Sequence, residues 1–295
     1  MGELRFDGRV AVITGAGRGL GRAYAHLLAA RGASVVVNDR GGSMAGEGTD
    51  EGPAAEVVGE IAAAGGAAVA DARDIATAAG AEGVIASALE QFGRLDIVIA
   101  NAGVMRWAPF PEVTADDVEQ HLAVHALGSF LVTRAAWPHL AAQQYGRIVL
   151  TTSTGLLGLP GNTAYSIAKG GVIGLLRSLA VAGRPLGIRA SAIAPAASTR
   201  MAGEGGPDLP AERVAPMVAY LAHEDCPVSG EVYTAGGGRF ARLFVGSTPG
   251  VVVDGEPTIE DVAARWDAIN DTTGFDVPAD LMAWSRQFLS HLEER

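Results

Sequence analysis

The chain has 295 residues, 48% of them hydrophobic, with 40 glycines and a formal net charge of −11. That length holds one large α/β domain or two small ones, and the negative charge disfavours nucleic acid or an anionic membrane as a partner. One cysteine (Cys226), charges within the first nine positions, no apolar run expected to reach a membrane span and the terminal Leu292-Glu293-Glu294-Arg295 lead us to expect a cytoplasmic protein without disulfide or membrane anchor.

Val10 to Thr14 is a short apolar run leading into Thr14-Gly15-Ala16-Gly17-Arg18-Gly19-Leu20-Gly21, and a helical pattern follows from Arg22 to Ala30. Strand, glycine loop and helix make a phosphate-binding turn. Residues without a Cβ admit a pyrophosphate close to the backbone, and a helix N-terminus offers unpaired N–H groups. A second strand, Val35 to Asn38, ends at Asp39, where an acid accepts hydrogen bonds from the adenosine ribose. The same carboxylate repels a 2′-phosphate by roughly 1–4 kcal/mol at about 4 Å. NAD is therefore expected over NADP, although Arg40 beside it offers a guanidinium to that phosphate.

Residues 40–53 form a long loop of Gly and acids, read as an exposed insertion rather than a lid. Ala54 to Ala64 reads as a helix, Ala67 to Ala70 as a strand, Ala76 to Phe92 as a helix, and Asp96 to Ala100 as a strand ending in Asn101-Ala102-Gly103. Such alternation predicts a doubly wound parallel α/β sheet of the Rossmann type. Thr114-Ala115-Asp116-Asp117 starts a helix that runs towards Trp137-Pro138 and carries His121 and His125 on one face. Their spacing suits a metal, but neither this pair nor His223-Glu224-Asp225-Cys226 has the further ligand that would make a site, and no metal is expected.

Arg147 to Thr151 is a fifth strand, delivering Ser153 to the sheet edge where open α/β folds bind ligands. Tyr165 and Lys169 are four apart in a helical run, so both leave one face about one turn apart. An ammonium near a phenol stabilises the phenolate, and lowering the ordinary tyrosine pKa of about 10 by about 3 units takes roughly 4 kcal/mol. Arg189 to Ile193 gives a sixth strand, Met201 to Pro210 a flap, and Gly230 to Thr234 a last strand. In the remainder, Phe240 to Val245 is apolar and irregular, Thr258 starts a short helix with Trp266 beyond it, and Ala279 to Glu294 reads as a terminal helix. We expect a Rossmann domain over 1–238 with an extension, 239–295, packed on it.

Taken together, Thr14-Gly15-x-x-x-Gly19-x-Gly21, Asn101-Ala102-Gly103, Ser153 and Tyr165-x-x-x-Lys169 resemble the short-chain dehydrogenase/reductase family, over about residues 8–238. Val124-His125-Ala126-Leu127-Gly128-Ser129-Phe130, Thr133 to Trp137, Tyr145 to Ile148 and Ser198-Thr199-Arg200-Met201 look, more narrowly, like the (3R)-hydroxyacyl-CoA dehydrogenase domain of peroxisomal multifunctional enzymes type 2. The resemblance implies that Tyr165 exchanges the proton at an alcohol oxygen, that Lys169 binds the nicotinamide ribose and depresses the tyrosine pKa, and that Ser153 hydrogen-bonds the substrate. It places Gly15, Arg18, Gly19, Leu20 and Gly21 at the pyrophosphate, Asp39 at the ribose, and Asp74 and Ile75 near the adenine. Asn101, Ala102 and Gly103 would lie beside the cofactor, and Pro195, Ser198 and Thr199 along the nicotinamide. It also implies a homo-oligomer, dimer or tetramer.

Three departures stand out. His125 replaces the family's usual Asn, leaving its catalytic role open; Ala100 and Ala196 replace the usual Asn and Gly; and either Thr152 or Ser153 stands at the serine position, with Ser153 favoured. The expected activity is NAD-dependent interconversion of a secondary alcohol and a ketone, foremost 3-hydroxyacyl-CoA thioesters. Hydroxysteroids are the rival substrate, and a catalytically silent nucleotide-binding scaffold the rival class.

Overall fold

Strands covered on both faces must be apolar throughout, and the computed structural model, which describes residues 2–158, 160–199 and 209–292, bears this pattern out. Strands β1 (Val10–Thr14), β4 (Ile97–Ala100) and β5 (Gly146–Thr151) are buried at every position. With β2 (Ser34–Asn38), β3 (Ala67–Asp71), β6 (Ile188–Pro195), β7 (Val232–Gly236) and β8 (Arg239–Leu243) they form one sheet in the order β3-β2-β1-β4-β5-β6-β7-β8. Every pairing from β3 to β7 is parallel. The two-residue turn Gly237-Gly238 leaves room only for an antiparallel return into β8. β8 is thus a strand, not the irregular segment expected over 240–245.

Helices α1 (Gly19–Ala30), α2 (Gly52–Ala63) and α7 (Ala215–Ala222) pack together, and α3 (Ala78–Phe92), α5 (Ser129–Ala142) and α6 (Thr163–Gly183) form a second layer. Local chemistry sets the ends. Thr77 caps α3 by accepting from Gly80 N, and Gly93 closes it in the left-handed conformation that its missing Cβ permits. Thr114 and Asp117 form a reciprocal capping box at the start of α4 (Ala115–His121). The chain then continues as a π-helical turn, Leu122–Gly128, directly into α5. Pro138 lies inside α5 rather than ending it.

β1 pairs with both β2 and β4, so the chain reverses direction of progress between them. The crevice at their C-terminal ends is where such sheets take ligands. Helix α6 with the following turn, Thr163–Leu186, is long and apolar enough to cross a membrane, which the sequence expectation denied. Here one face of it packs against β6, β5 and the π turn. The flap expected over 201–210 falls, through residue 208, outside the described residues.

The chain folds as two compact units, Met1–Arg242 and Leu243–Arg295. In the second, α8 (Ile259–Ala264) opens with a Thr258–Asp261 capping box, followed by α9 (Trp266–Asn270) and α10 (Leu281–Phe288), the last capped by Asp280. Phe244 stacks on Phe275, Trp284 on Phe288, and Ser247 bridges Asp276.

Candidate active site

The C-terminal ends of β1, β2, β4, β5 and β6 open on a cleft of about 860 Å³. Its floor is the glycine turn. Gly15 has φ +65°, and a Cβ there would come 2.8 Å from Ala102 Cα. Thr14 Oγ1 accepts from Asn101 N (3.0 Å) and Ala102 N (3.1 Å), while Asn101 Nδ2 donates to the Thr14 and Gly15 carbonyls at 3.1 Å each. Asn101 therefore fastens the β4 end to the turn as well as lining the cleft. Arg18, at the N-cap of α1, makes no side-chain cap bond and leaves the first-turn N–H groups to a ligand. Gly21, expected on the pyrophosphate, is set back from the cleft wall. A Cβ there would sit 2.2 Å from Gly15 O, so its role is to let α1 pack on the turn.

Asp39 is locked in place: Oδ2 accepts from Gly17 N (2.8 Å) and Oδ1 from Gly41 N (2.7 Å). The neighbouring Arg40 donates to Asp74 Oδ2 at 3.0 Å, and Asp74 Oδ1 accepts from Ala76 N at 3.0 Å. Ile75 completes this end of the wall. The loop after Arg40 is exposed over much of its length, as expected of an insertion, but it also borders the cleft. Ser43 and Gly46 line the cleft, Met105 N donates to Met44 O (2.9 Å), and Gln120 Nε2 reaches Ala45 O (3.4 Å).

At the other end, Ser153, Tyr165, Lys169 and His125 share the wall with Gly103, Pro195 and Thr199. Ser198 is set away from it; its N–H donates to Leu209 O and its Oγ accepts from Leu209 N. Ser153 Oγ accepts from Gly155 N at 3.0 Å and lies with the Tyr165 ring beside Gly155. Thr152 is fully buried and donates instead to Lys169 O (2.9 Å). Ser153, not Thr152, thus presents the hydroxyl beside the phenol.

Lys169 Nζ donates to Thr151 O at 2.7 Å and lies 5.5 Å from the Tyr165 ring centroid. Burial pushes its pKa down to about 7 and pushes the Tyr165 phenol up, with the nearby Ser153 hydroxyl acting in the opposite sense. The expected depression of Tyr165 by the ammonium is therefore reversed in the protein alone: low polarity drives both groups towards their neutral forms.

His125 is 1% exposed, and its ring meets Tyr165 edge-on at 5.2 Å. Its Nε2 donates to Val104 O at 2.8 Å, and its Nδ1 has no partner among the described residues. Burial, then the Lys169 charge, hold its pKa well below the usual value, so the ring is neutral at pH 7. His121 stacks on it at 5.8 Å, with Nδ1–H donating to Asp117 O and Nε2 accepting from Arg106 N. Sequence reasoning missed Met105, Arg106, Trp107 and Asn162, which line the same cleft. Nothing in their spacing marks them; the Ala108–Asn162 bridge brings the two segments together.

The family model described as short chain dehydrogenase matches residues 9–208. The chain is 46% identical over 272 residues to a Mycobacterium tuberculosis protein named as a short-chain type dehydrogenase/reductase, covering 90% of this chain and 95% of that one. It is 42% identical over 284 residues to mouse peroxisomal multifunctional enzyme type 2, covering 93% of this chain but only 38% of the mouse protein. The full-length peroxisomal multifunctional enzyme type 2 from Drosophila melanogaster superposes with a TM-score of 0.82 at 34% identity, over 99% of this chain and 50% of that one. The chain thus spans half or less of these two multifunctional relatives.

Proposed function

Since the chain belongs to the short-chain dehydrogenase family, we propose that it is an oxidoreductase interconverting (3R)-3-hydroxyacyl-CoA and 3-oxoacyl-CoA with NAD. One observation carries this reading: Ser153, Tyr165 and Lys169 line the same cleft as the glycine turn and Asp39. The turn fits a dinucleotide. Gly19 has φ +51°, and a Cβ there would lie 3.4 Å from Thr199 Cγ2, in the strip between turn and nicotinamide end. Asp39 would hold the adenosine ribose, and Asn101 and Lys169 the nicotinamide side.

A bound nicotinamide supplies the acceptor or donor of the hydrogen at the reacting carbon. The protein supplies the rest. In oxidation the Tyr165 phenolate, formed where a positive charge beside it offsets the burial that keeps the phenol neutral in the protein alone, takes the proton from the alcohol oxygen, and in reduction the phenol returns it. Ser153 Oγ donates to that oxygen as charge develops on it. Lys169, held at its buried depth by Thr151 O, is positioned to place positive charge behind the phenol. Neutral His125 closes the wall behind Tyr165, excluding water without adding charge.

Two features favour NAD. The Asp39 carboxylate is fixed by two backbone amides, and Arg40, the cation next to it in sequence that could receive a 2′-phosphate, is engaged by Asp74. The narrower resemblance to multifunctional enzymes supports the acyl-CoA substrate. From the family we also propose a homo-oligomer, with subunit number readable by light scattering, and from the composition a cytoplasmic location.

Side-by-side assays of (3R)-hydroxyacyl-CoA and hydroxysteroids, each with NAD and NADP, test the proposal. It expects turnover of the thioester with NAD, and inversion of that preference would overturn it.

A further inference from the structure

Trp107 is a large aromatic side chain left 49% exposed on the wall of the cleft that Ser153 and Tyr165 also line. Its setting is rigid. Met105 N donates to Met44 O at 2.9 Å, Arg106 N to His121 Nε2 at 3.3 Å, and Ala108 N to Gly161 O at 3.0 Å. The backbone is thus pinned on both sides of the indole, which lies against Gly161, where a Cβ would come 4.0 Å from Trp107 Cε3. The neighbouring Arg106 is drawn to Glu47 (3.7 Å) and Asp117 (3.9 Å). The Ala108–Asn162 bridge sets the distance to the chemistry. Paired segments lie about 4.8 Å apart, and Tyr165 follows Asn162 by three residues, about 5–6 Å along one helix face. Trp107 is therefore carried roughly 10 Å from the backbone of Tyr165. Phe110 and Leu157, on the same two segments, are also exposed. A half-exposed aromatic fixed on a ligand cleft offers apolar area that an occupant of the cleft covers.

Resting on the alcohol–ketone reading of this cleft, we propose that Trp107 is the platform for an apolar arm of the substrate, and that the protein selects its alcohol by the length of that arm. Ser153 and Tyr165 read the reacting group; Trp107 reads what lies several carbons beyond it. The occupant is the substrate because the indole belongs to the same continuous wall as the phenol, beside Met105, another apolar side chain of that wall. The other end of the cleft is lined by Asp39, Arg40 and Asp74, which suit a polar ligand instead. Each methylene moved from water onto an apolar surface raises affinity about three- to fourfold. An arm that reaches the indole gains by that factor with every carbon it lays down, and an arm that stops short of it gains nothing there. The site therefore favours long apolar arms over short ones, whatever the group on the far side of the reacting carbon.

The test measures kcat/KM for wild type, Trp107→Ala and Trp107→Phe on short and long members, butyl and decyl in length, of two series: (3R)-3-hydroxyacyl-CoA thioesters and 2-alkanols. Wild type should favour the long thioester about 30-fold, the factor that three covered methylenes give. That ratio should fall at least about tenfold in Trp107→Ala, and Trp107→Phe, which keeps an aromatic face, should retain most of it. Binding gives a second reading that needs no turnover. The long 3-oxoacyl-CoA should shift the tryptophan fluorescence of wild type to the blue as the indole leaves water, and Trp107→Phe should lack that shift. An unchanged ratio in Trp107→Ala overturns the assignment while leaving the alcohol–ketone reading intact. So does loss of self-association in that variant, seen by sedimentation with the ratio unchanged, which would give the indole to a second copy of the chain. Turnover of no member of either series, with NAD or NADP, overturns both.

Discussion

Lys169 Nζ sits 5.5 Å from the Tyr165 ring centroid while donating to Thr151 O, in a pocket that leaves the lysine 3% exposed. An amine so placed loses hydration that one carbonyl does not replace, and the charged form suffers most. Lys169 is also the only lysine in the chain. A protein labelled with 13C-lysine should therefore give one side-chain signal, titrating near pH 7 rather than near the ordinary value of about 10.4.

The same group links stability to pH. Its folded pKa lies below its unfolded one, so between about 7 and about 10.4 the unfolded chain binds the extra proton. The Lys169 contribution therefore makes stability rise with pH through that window and is flat below it. Denaturant midpoints of wild type and Lys169→Met at pH 7 and 9.5 measure it: wild type should gain on the variant at the higher pH. A constant difference would refute the shift.

Coenzyme choice should depend on Asp74 as well as Asp39. Removing the Asp74 charge frees Arg40 from its 3.0 Å partner and takes one negative charge from the wall. Charges about 4 Å apart interact by roughly 1–4 kcal/mol, so Asp74→Asn should tighten NADP binding about fivefold relative to NAD, and Asp39→Asn more. Fluorescence titration with both reduced cofactors reads the ratio. An unchanged ratio in Asp74→Asn would mean that the Arg40 pair plays no part.

Gly21 shows how a residue off the cleft wall can still govern the site. A Cβ there would meet Gly15 O at 2.2 Å and Asn101 Nδ2 at 2.7 Å, breaking the bonds that join the turn to β4. Gly21→Ala should cost about 1–3 kcal/mol of stability and weaken dinucleotide binding markedly. Thermal unfolding and a binding titration check both together.

Much of this was legible in the chain because a parallel sheet buries its strands on both faces. Val10–Thr14 and Ile97–Ala100 are uninterrupted apolar runs, and the glycine turn follows the first directly. Asp39, Tyr165 and Lys169 could be placed for the same reason: each lies a fixed distance beyond a recognisable element. β8 escaped notice because its side chains are mostly exposed and carry no alternating pattern. α7 went unmarked because its eight residues are apolar nearly all round. The π turn at His125 leaves no trace in composition, since the same residues would suit an α-helix. The pKa directions of Tyr165 and Lys169 depend on burial, which four-residue spacing does not report. Trp107 stands out only once its exposure on the cleft wall is seen.

The central claim is that Tyr165 Oη carries the proton of the reacting oxygen, and Tyr165→Phe tests it most directly, with NAD binding and turnover measured on one preparation. Positioned acid–base groups contribute about 10²- to 10⁴-fold. The account predicts a loss of turnover of that size with NAD affinity preserved; a variant that turned over at the wild-type rate would contradict it.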